Sequence, residues 1–335
     1  MKNILILGGT GIIGKPTVFE ALKEGYSVTT VSAEPDSNLP KEVNQVVVNR
    51  NEREKFKETV CGLNKKNDKW DAVFEIYNLG ENDGKELYEC FKDTAEHIFV
   101  ISTTLVYDRS VPSAAPIKSN HPLAKKGTMG GYAEHKLELE LFWKSKTDVN
   151  YTILRPYHVL GAGSLLGCVP LHNRDPKLPQ RIKDGETLEL CDGGNVEFNF
   201  IHPTDIARMV LKAAGNPKTY RRAYNAVNPK KIVAREYFEL IGDMLGEEVR
   251  IKNKPLREIW EEENGWALTT LPSLYDVSDV RQDIGFIPGI SLETAIRDSL
   301  LHYPRGTVDV DQIPVHKRMT LLPRPKKIDW LFQQQ

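Results

Sequence analysis

The sequence predicts an α/β fold: a doubly wound parallel sheet followed by a smaller mixed C-terminal region. Three observations lead there. Short apolar runs alternate with amphipathic stretches through the first half, a glycine-rich string joins the first run to the first amphipathic stretch, and the rhythm breaks after Arg155-Pro156.

Residues 4–7, 27–31, 45–48, 72–76, 98–102 and 151–154 are the strand candidates, being short, rich in β-branched residues and bounded by polar residues or glycine. Between them, residues 15–24, 52–63, 84–94 and 132–144 repeat apolar side chains at helical spacing. Strands that alternate with helices pair in parallel, and right-handed crossovers then cover both faces of the sheet. Past Arg155-Pro156, residues 161–167 read as loop, and Pro170, Pro176 and Pro179 stop any long element. Helical periodicity returns at 204–214, 234–245 and 291–301. The chain thus divides into residues 1–156 and a smaller, irregular region, 157–335, some of whose segments return to the main sheet. From Pro304 onward it is Pro-rich and basic, a packed tail or an arm for a homodimer.

Bulk composition removes several function classes. Apolar residues make up 40% and charged residues 27%, as in ordinary globular proteins. With a formal net charge of −1 and no basic run, no nucleic-acid partner is expected, because phosphate binding needs a concentrated positive face. The N-terminal apolar run is too short for a signal or membrane segment. Cys61, Cys90, Cys168 and Cys191 show no paired spacing and the histidines no ligand spacing, so no metal site and no disulfide framework are expected. That pattern suits the reducing cytoplasm.

The string Gly8-Gly9-Thr10-Gly11-Ile12-Ile13-Gly14 directly follows the first strand. Gly8 permits the tight turn, Gly11 lets backbone approach a pyrophosphate, and Gly14 lets the helix lie close on the strand. With Thr10, Ile12 and Ile13, the helix start offers N–H groups and a positive dipole end to phosphates. This is the dinucleotide loop of a Rossmann unit, and its place between strand and helix is what gives the pattern weight. Pro16 removes one donor in the first helical turn. Residues 31–34 end the second strand with Ser32 and Glu34 and no basic side chain, which favours NAD over NADP.

Tyr132 and Lys136 stand four residues apart on one predicted helix, so both side chains point into one cleft. A tyrosine titrates near pH ~10; a neighbouring cation lowers that by roughly 1–3 units and makes the phenol a usable base. The fifth strand ends in Ser102-Thr103-Thr104, hydroxyls at the carboxyl edge where ligands sit in such sheets.

Taken together, these strings resemble the extended short-chain dehydrogenase/reductase superfamily, which includes nucleotide-sugar epimerases and dehydratases. Further matching strings are residues 102–107, Leu154-Arg155-Pro156, residues 200–207 and Gly285-Phe286-Ile287-Pro288. The resemblance implies an NAD(P)-dependent enzyme acting by hydride transfer at a secondary alcohol of a sugar-like small molecule, with a simple dehydrogenase or ketoreductase as the alternative. A non-catalytic cofactor-sensing or RNA-binding role is a third. It places Thr103 at the catalytic Ser/Thr position beside Tyr132 and Lys136. It also places Asn49 and Arg50 at the adenine contact, Pro156 on the nicotinamide side, and Thr104 and Tyr157 in the substrate pocket. In two positions the chain departs from the sugar-nucleotide pattern: His158 stands where the epimerases carry a diphosphate-contacting Asn, and Phe198 where they carry an Arg. Arg174 or Arg181 is the basic residue that would compensate. In this respect the chain looks closer to the branch resembling chloroplast stem-loop-binding proteins. His202, near a strand end, reads as a structural hydrogen-bonding histidine.

Overall fold

The six apolar runs of the first half become β1 (Asn3–Leu7), β2 (Ser27–Ser32), β3 (Asn44–Val47), β4 (Ala72–Glu75), β5 (Ile98–Ile101) and β6 (Tyr151–Pro156). The structure is a computed structural model describing residues 2–65, 69–111, 116–169, 172–173, 175–261 and 273–303; the tail from Pro304 lies outside the described residues. Every pairing in the main sheet is parallel, in the order β13-β6-β5-β4-β1-β2-β3. The seventh strand, β13 (Arg222–Ala226), comes from the second half of the chain and seals the β6 edge.

Alternation along each strand sends side chains to both faces. Ile4, Ile6, Phe74, Phe99 and Leu154 pack in one core, beneath α1 (Gly14–Lys23) and α6 (Pro203–Ala213). Leu5, Leu7, Val73, Val100 and Ile153 pack in the other, beneath α2 (Arg53–Gly62), α3 (Glu81–Phe91) and α4 (Gly131–Lys144). Chain direction diverges between β1 and β4, so their carboxyl ends form the crevice where such folds bind ligands.

Past Pro156 come short strand pairs: β7 (His158–Val159) with β12 (Phe200–Ile201), β8 (Cys168–Val169) with β9 (His172–Asn173), β10 (Thr187–Cys191) with β15 (Arg250–Lys254), and β11 (Glu197–Phe198) with β14 (Ile232–Val233). The helices here are α5 (Leu178–Lys183), α7 (Ala234–Leu245), α8 (Leu256–Glu261), α9 (Ser278–Ile284) and α10 (Leu292–Leu301). His202 caps α6, its Nδ1 accepting from the Thr204 amide at 3.2 Å, which is the structural role its position suggested.

One expectation fails. Cys61 on α2 and Cys90 on α3 form a disulfide with Cα atoms 4.8 Å apart, although their separation of 29 residues matches no motif. Cross-bracing of the same helix pair continues through Arg53–Glu86 at 2.8 Å and Lys57–Glu89 at 2.9 Å. Arg53, Lys57 and Cys61 recur every four residues, so they form one stripe of α2 facing α3. Among the described residues, no helix is long and apolar enough to cross a membrane.

Buried His97 gives the fold a pH dependence. It is fully enclosed beside Phe99 and Tyr220, with Nε2 2.8 Å from Thr152 Oγ1, and burial pushes its pKa down to about 3. The unfolded chain takes up this proton near pH ~6.5 and the native state does not, so stability falls as pH drops from there towards 3. The expected slope from this group is about 1.4 kcal/mol per pH unit. Urea midpoints of His97→Gln between pH 7 and 4 should fall less steeply than wild type; parallel curves would assign the acid sensitivity elsewhere.

Candidate active site

The glycine loop makes a tight turn from β1 into α1. Gly8 has φ +97°, and a Cβ on Gly14 would lie 2.0 Å from the Gly8 carbonyl oxygen, so helix and strand meet at a distance that excludes any side chain. The Ile12 and Ile13 amides have no hydrogen-bond partner among the described residues, leaving donors at the mouth of α1. Pro16 falls in the first turn of α1, while the amides on either side still bond, Lys15 to Gly11 O and Thr17 to Ile13 O. Ser32 Oγ accepts from the Thr10 amide at 3.2 Å, joining the β2 end to the loop. Glu34 is exposed; the nearest built charge pair is Lys15–Asp36 at 2.7 Å, which sequence reading missed. Its only signal was a carboxylate two residues past Glu34.

At the β5 end, Thr103 is 6% exposed, and its Oγ1 accepts from the Leu105 amide at 3.3 Å, capping a single 3-10 turn, Thr104–Val106. Its hydroxyl proton remains free to be donated. The neighbouring Ser102 Oγ and Thr104 Oγ1 are buried and unpartnered among the described residues, and so is Asn78 Nδ2 beyond the β4 end. Buried polar atoms cost free energy when unpaired, and these three lie together at the ends of adjacent strands.

Helix α4 supplies the other side. Tyr132 is half-buried in its first turn, and Lys136 one turn on is 2% exposed, with Nζ 5.6 Å from the Tyr132 ring centroid and donating to Ile101 O at 2.7 Å. Burial pushes the Lys136 ammonium down to about 8, with Glu75 the strongest opposing charge. Behind the pair, Arg155 and Glu140 form a fully buried bidentate ion pair at 2.5 and 2.8 Å. Arg155 also donates to Tyr107 OH at 3.0 Å and Ser119 O at 2.7 Å, while Tyr107 OH donates to Asn225 Oδ1 at 2.5 Å. This network ties α4, β6, β13 and the segment after Thr103 into one frame.

Other predicted residues stand further from this cleft or have other partners. Asn49 is exposed, its Oδ1 accepting from the Asn51 amide at 2.9 Å. Arg50 turns inward to Glu75 Oε2 at 2.6 Å, Tyr77 O at 3.0 Å and Asn78 Oδ1 at 3.3 Å. Pro156 ends β6 opposite Ala226, with Tyr157 buried next to it. His158 and Phe198 are fully buried, their rings stacked at 6.2 Å, and Tyr237 meets Phe198 edge-on at 5.7 Å. Arg181, on α5, is held by Asp175 at 2.8 Å and Glu186 at 2.9 Å. Arg174 lies outside the described residues.

Residues 84–226 match the model of the NAD dependent epimerase/dehydratase family. A chloroplast stem-loop binding protein of 41 kDa from Arabidopsis thaliana is 24% identical over 250 residues, covering 69% of this chain and 60% of that protein's length. The UDP-glucose 4-epimerase of Thermotoga maritima shares the fold with a TM-score of 0.68 at 19% identity, over 90% of this chain and 98% of that one. The Bordetella bronchiseptica enzyme WbmH, solved with NAD+, does so with a TM-score of 0.70 at 17% identity, over 91% and 99%.

Proposed function

We propose that this protein, an extended short-chain dehydrogenase/reductase by its fold and an NAD-dependent epimerase/dehydratase type by its segment 84–226, binds NAD and oxidises a secondary alcohol of a sugar-like substrate. The observation that carries the reading is the Tyr132–Lys136 pair on one face of α4, beside the unpaired hydroxyls of the β5 end. The glycine loop fits a dinucleotide, because its close approach and its unpaired amides suit a pyrophosphate. When bound, NAD supplies the hydride acceptor. Lys136 stabilises the Tyr132 phenolate, which takes the hydroxyl proton and becomes the neutral phenol, while Thr103 orients the substrate oxygen. Return of the hydride within the same site gives epimerisation or dehydration; release of the reduced cofactor gives a dehydrogenase or ketoreductase.

Packing at the substrate side favours a substrate without a nucleotide diphosphate. Phe198 and His158 lie in an aromatic stack, and Arg181 is neutralised by two carboxylates. Phe198 offers no charge-assisted hydrogen bond, and Arg181 is drawn towards Asp175 and Glu186 rather than left unpaired for a diphosphate. The same packing supports the ketoreductase alternative. NAD should therefore raise the melting temperature clearly, whereas UDP, dTDP and GDP should leave it nearly unchanged, since only ligands that favour the native state stabilise it. NADH should bind more tightly than NADPH by nicotinamide fluorescence. A strong UDP shift would return the substrate to the nucleotide sugars, and no shift with NAD would remove the cofactor assignment.

A further inference from the structure

We propose that Glu75 is a positioning residue: a sealed carboxylate, clamped by Arg50, that keeps Lys136 cationic beneath Tyr132. This rests on the Tyr132–Lys136 reading above and adds a residue that reading lacks.

Glu75 is the last residue of β4 and 1% exposed. Two residues earlier on the same face, Val73 packs in the core shared with Leu139 and Trp143 of α4, so the Glu75 side chain turns towards the layer that holds Lys136. In register, Glu75 lies opposite Val100, and the next residue, Ile101, provides the carbonyl that Lys136 Nζ holds. The loop after β4 touches α4 directly, since a Cβ on Gly80 would lie 3.8 Å from His135 Cβ. The Glu75 carboxylate and the Lys136 ammonium are thus enclosed in one layer beside the ends of β4 and β5, without a direct ion pair between them.

A buried ammonium bonded only to a neutral carbonyl tends to lose its proton, and a nearby anion opposes that loss. The charged groups acting on Lys136 come from four elements: Glu75 on β4, Asp83 on α3, Glu140 on α4 and Arg50 on the loop after β3. Glu140 is already bound at both oxygens by Arg155. Asp83 accepts from the Leu79 amide at 2.7 Å and pairs with Arg53 at 3.1 Å. Glu75 is the strongest of the three anions at Lys136. Burial raises the Glu75 pKa, and Arg50 at 2.6 Å and the Tyr77 amide at 2.8 Å act against that rise by bonding the carboxylate.

The test reads Lys136 itself and needs no substrate. In lysine-labelled protein, the Lys136 side-chain resonances, assigned by their loss in Lys136→Arg, are followed against pH. The wild-type midpoint is expected near 8. Glu75→Gln keeps the shape and the hydrogen-bonding atoms and removes the charge; it should lower the midpoint by about one pH unit or more. Glu75→Asp, which retains the charge one methylene further back, should give a smaller fall, and it supplies the reading on its own if Glu75→Gln does not fold. In NAD-loaded protein, the Tyr132 phenol, followed by ultraviolet difference against Tyr132→Phe, should titrate higher in Glu75→Gln than in wild type. A merely structural Glu75 would leave the Lys136 midpoint in place in both variants, and that result overturns the proposal. Failure of wild-type protein to bind NAD would instead bring down the functional reading, while the Lys136 titration still decides the role of Glu75.

Discussion

Replacing Tyr132 with Phe should lower turnover by about 10²–10⁴-fold and leave NADH affinity close to wild type. A positioned general acid–base group supplies roughly that factor, and the substitution removes only the hydroxyl proposed to move the proton. The ring stays half-buried at the start of α4, Lys136 keeps its bond to Ile101 O, and the glycine loop across the crevice is untouched. The measurement is the initial rate on any secondary alcohol that wild-type protein oxidises in a substrate screen, paired with a nicotinamide-fluorescence titration. Equal loss of rate and of NADH binding would point to a disturbed cleft rather than a missing base. An unchanged rate would take Tyr132 out of the chemistry.

The second large effect is on stability. Arg155 and Glu140 are both 0% exposed. Burial opposes the arginine's charge, and Glu140 more than offsets this, raising its pKa above the ordinary range. Glu140→Ala leaves a guanidinium sealed in the core with only neutral partners, at a cost of about 3–5 kcal/mol. The urea midpoint should fall accordingly with little change in slope. An Arg155→Met, Glu140→Leu double variant should recover much of the loss, because removing both charges removes the need for solvation. A single variant within about 1 kcal/mol of wild type would mean that water reaches this site.

Much of the sheet was legible because β1, β2, β4, β5 and β6 are buried on both faces and so are written largely in β-branched and aromatic residues, while the exposed edge strand β3 showed only its valines. β13 was not. Its Arg222-Ala223-Tyr224-Asn225-Ala226 has no strand signature, follows Arg221 at φ +57°, and is chosen by what it meets: Asn225 receives the Tyr107 hydroxyl and donates to Ile117 O. β15 is equally silent, a charged segment paired at a surface edge. Within the site, the glycine loop and the Tyr132–Lys136 pair were readable because local spacing alone puts their atoms together. Glu75 carried no such sign, since its partner Arg50 lies 25 residues away and a carboxylate at a strand end reads as a solvent residue. The Cys61–Cys90 disulfide and the His158–Phe198 stack were hidden for the same reason: each is a meeting of distant segments.

β13 also fixes an order of events during synthesis. Until Ala226 has left the ribosome, the nascent sheet ends at β6, whose outer edge has unpaired backbone groups waiting for Arg222 to Ala226. At ~5–20 residues per second, the interval from Pro156 to Ala226 lasts roughly 4–14 s. Through that interval the buried Arg155–Glu140 pair has no Asn225 behind Tyr107 to close it off. A fragment ending near residue 156, expressed alone, should therefore collect in the insoluble fraction.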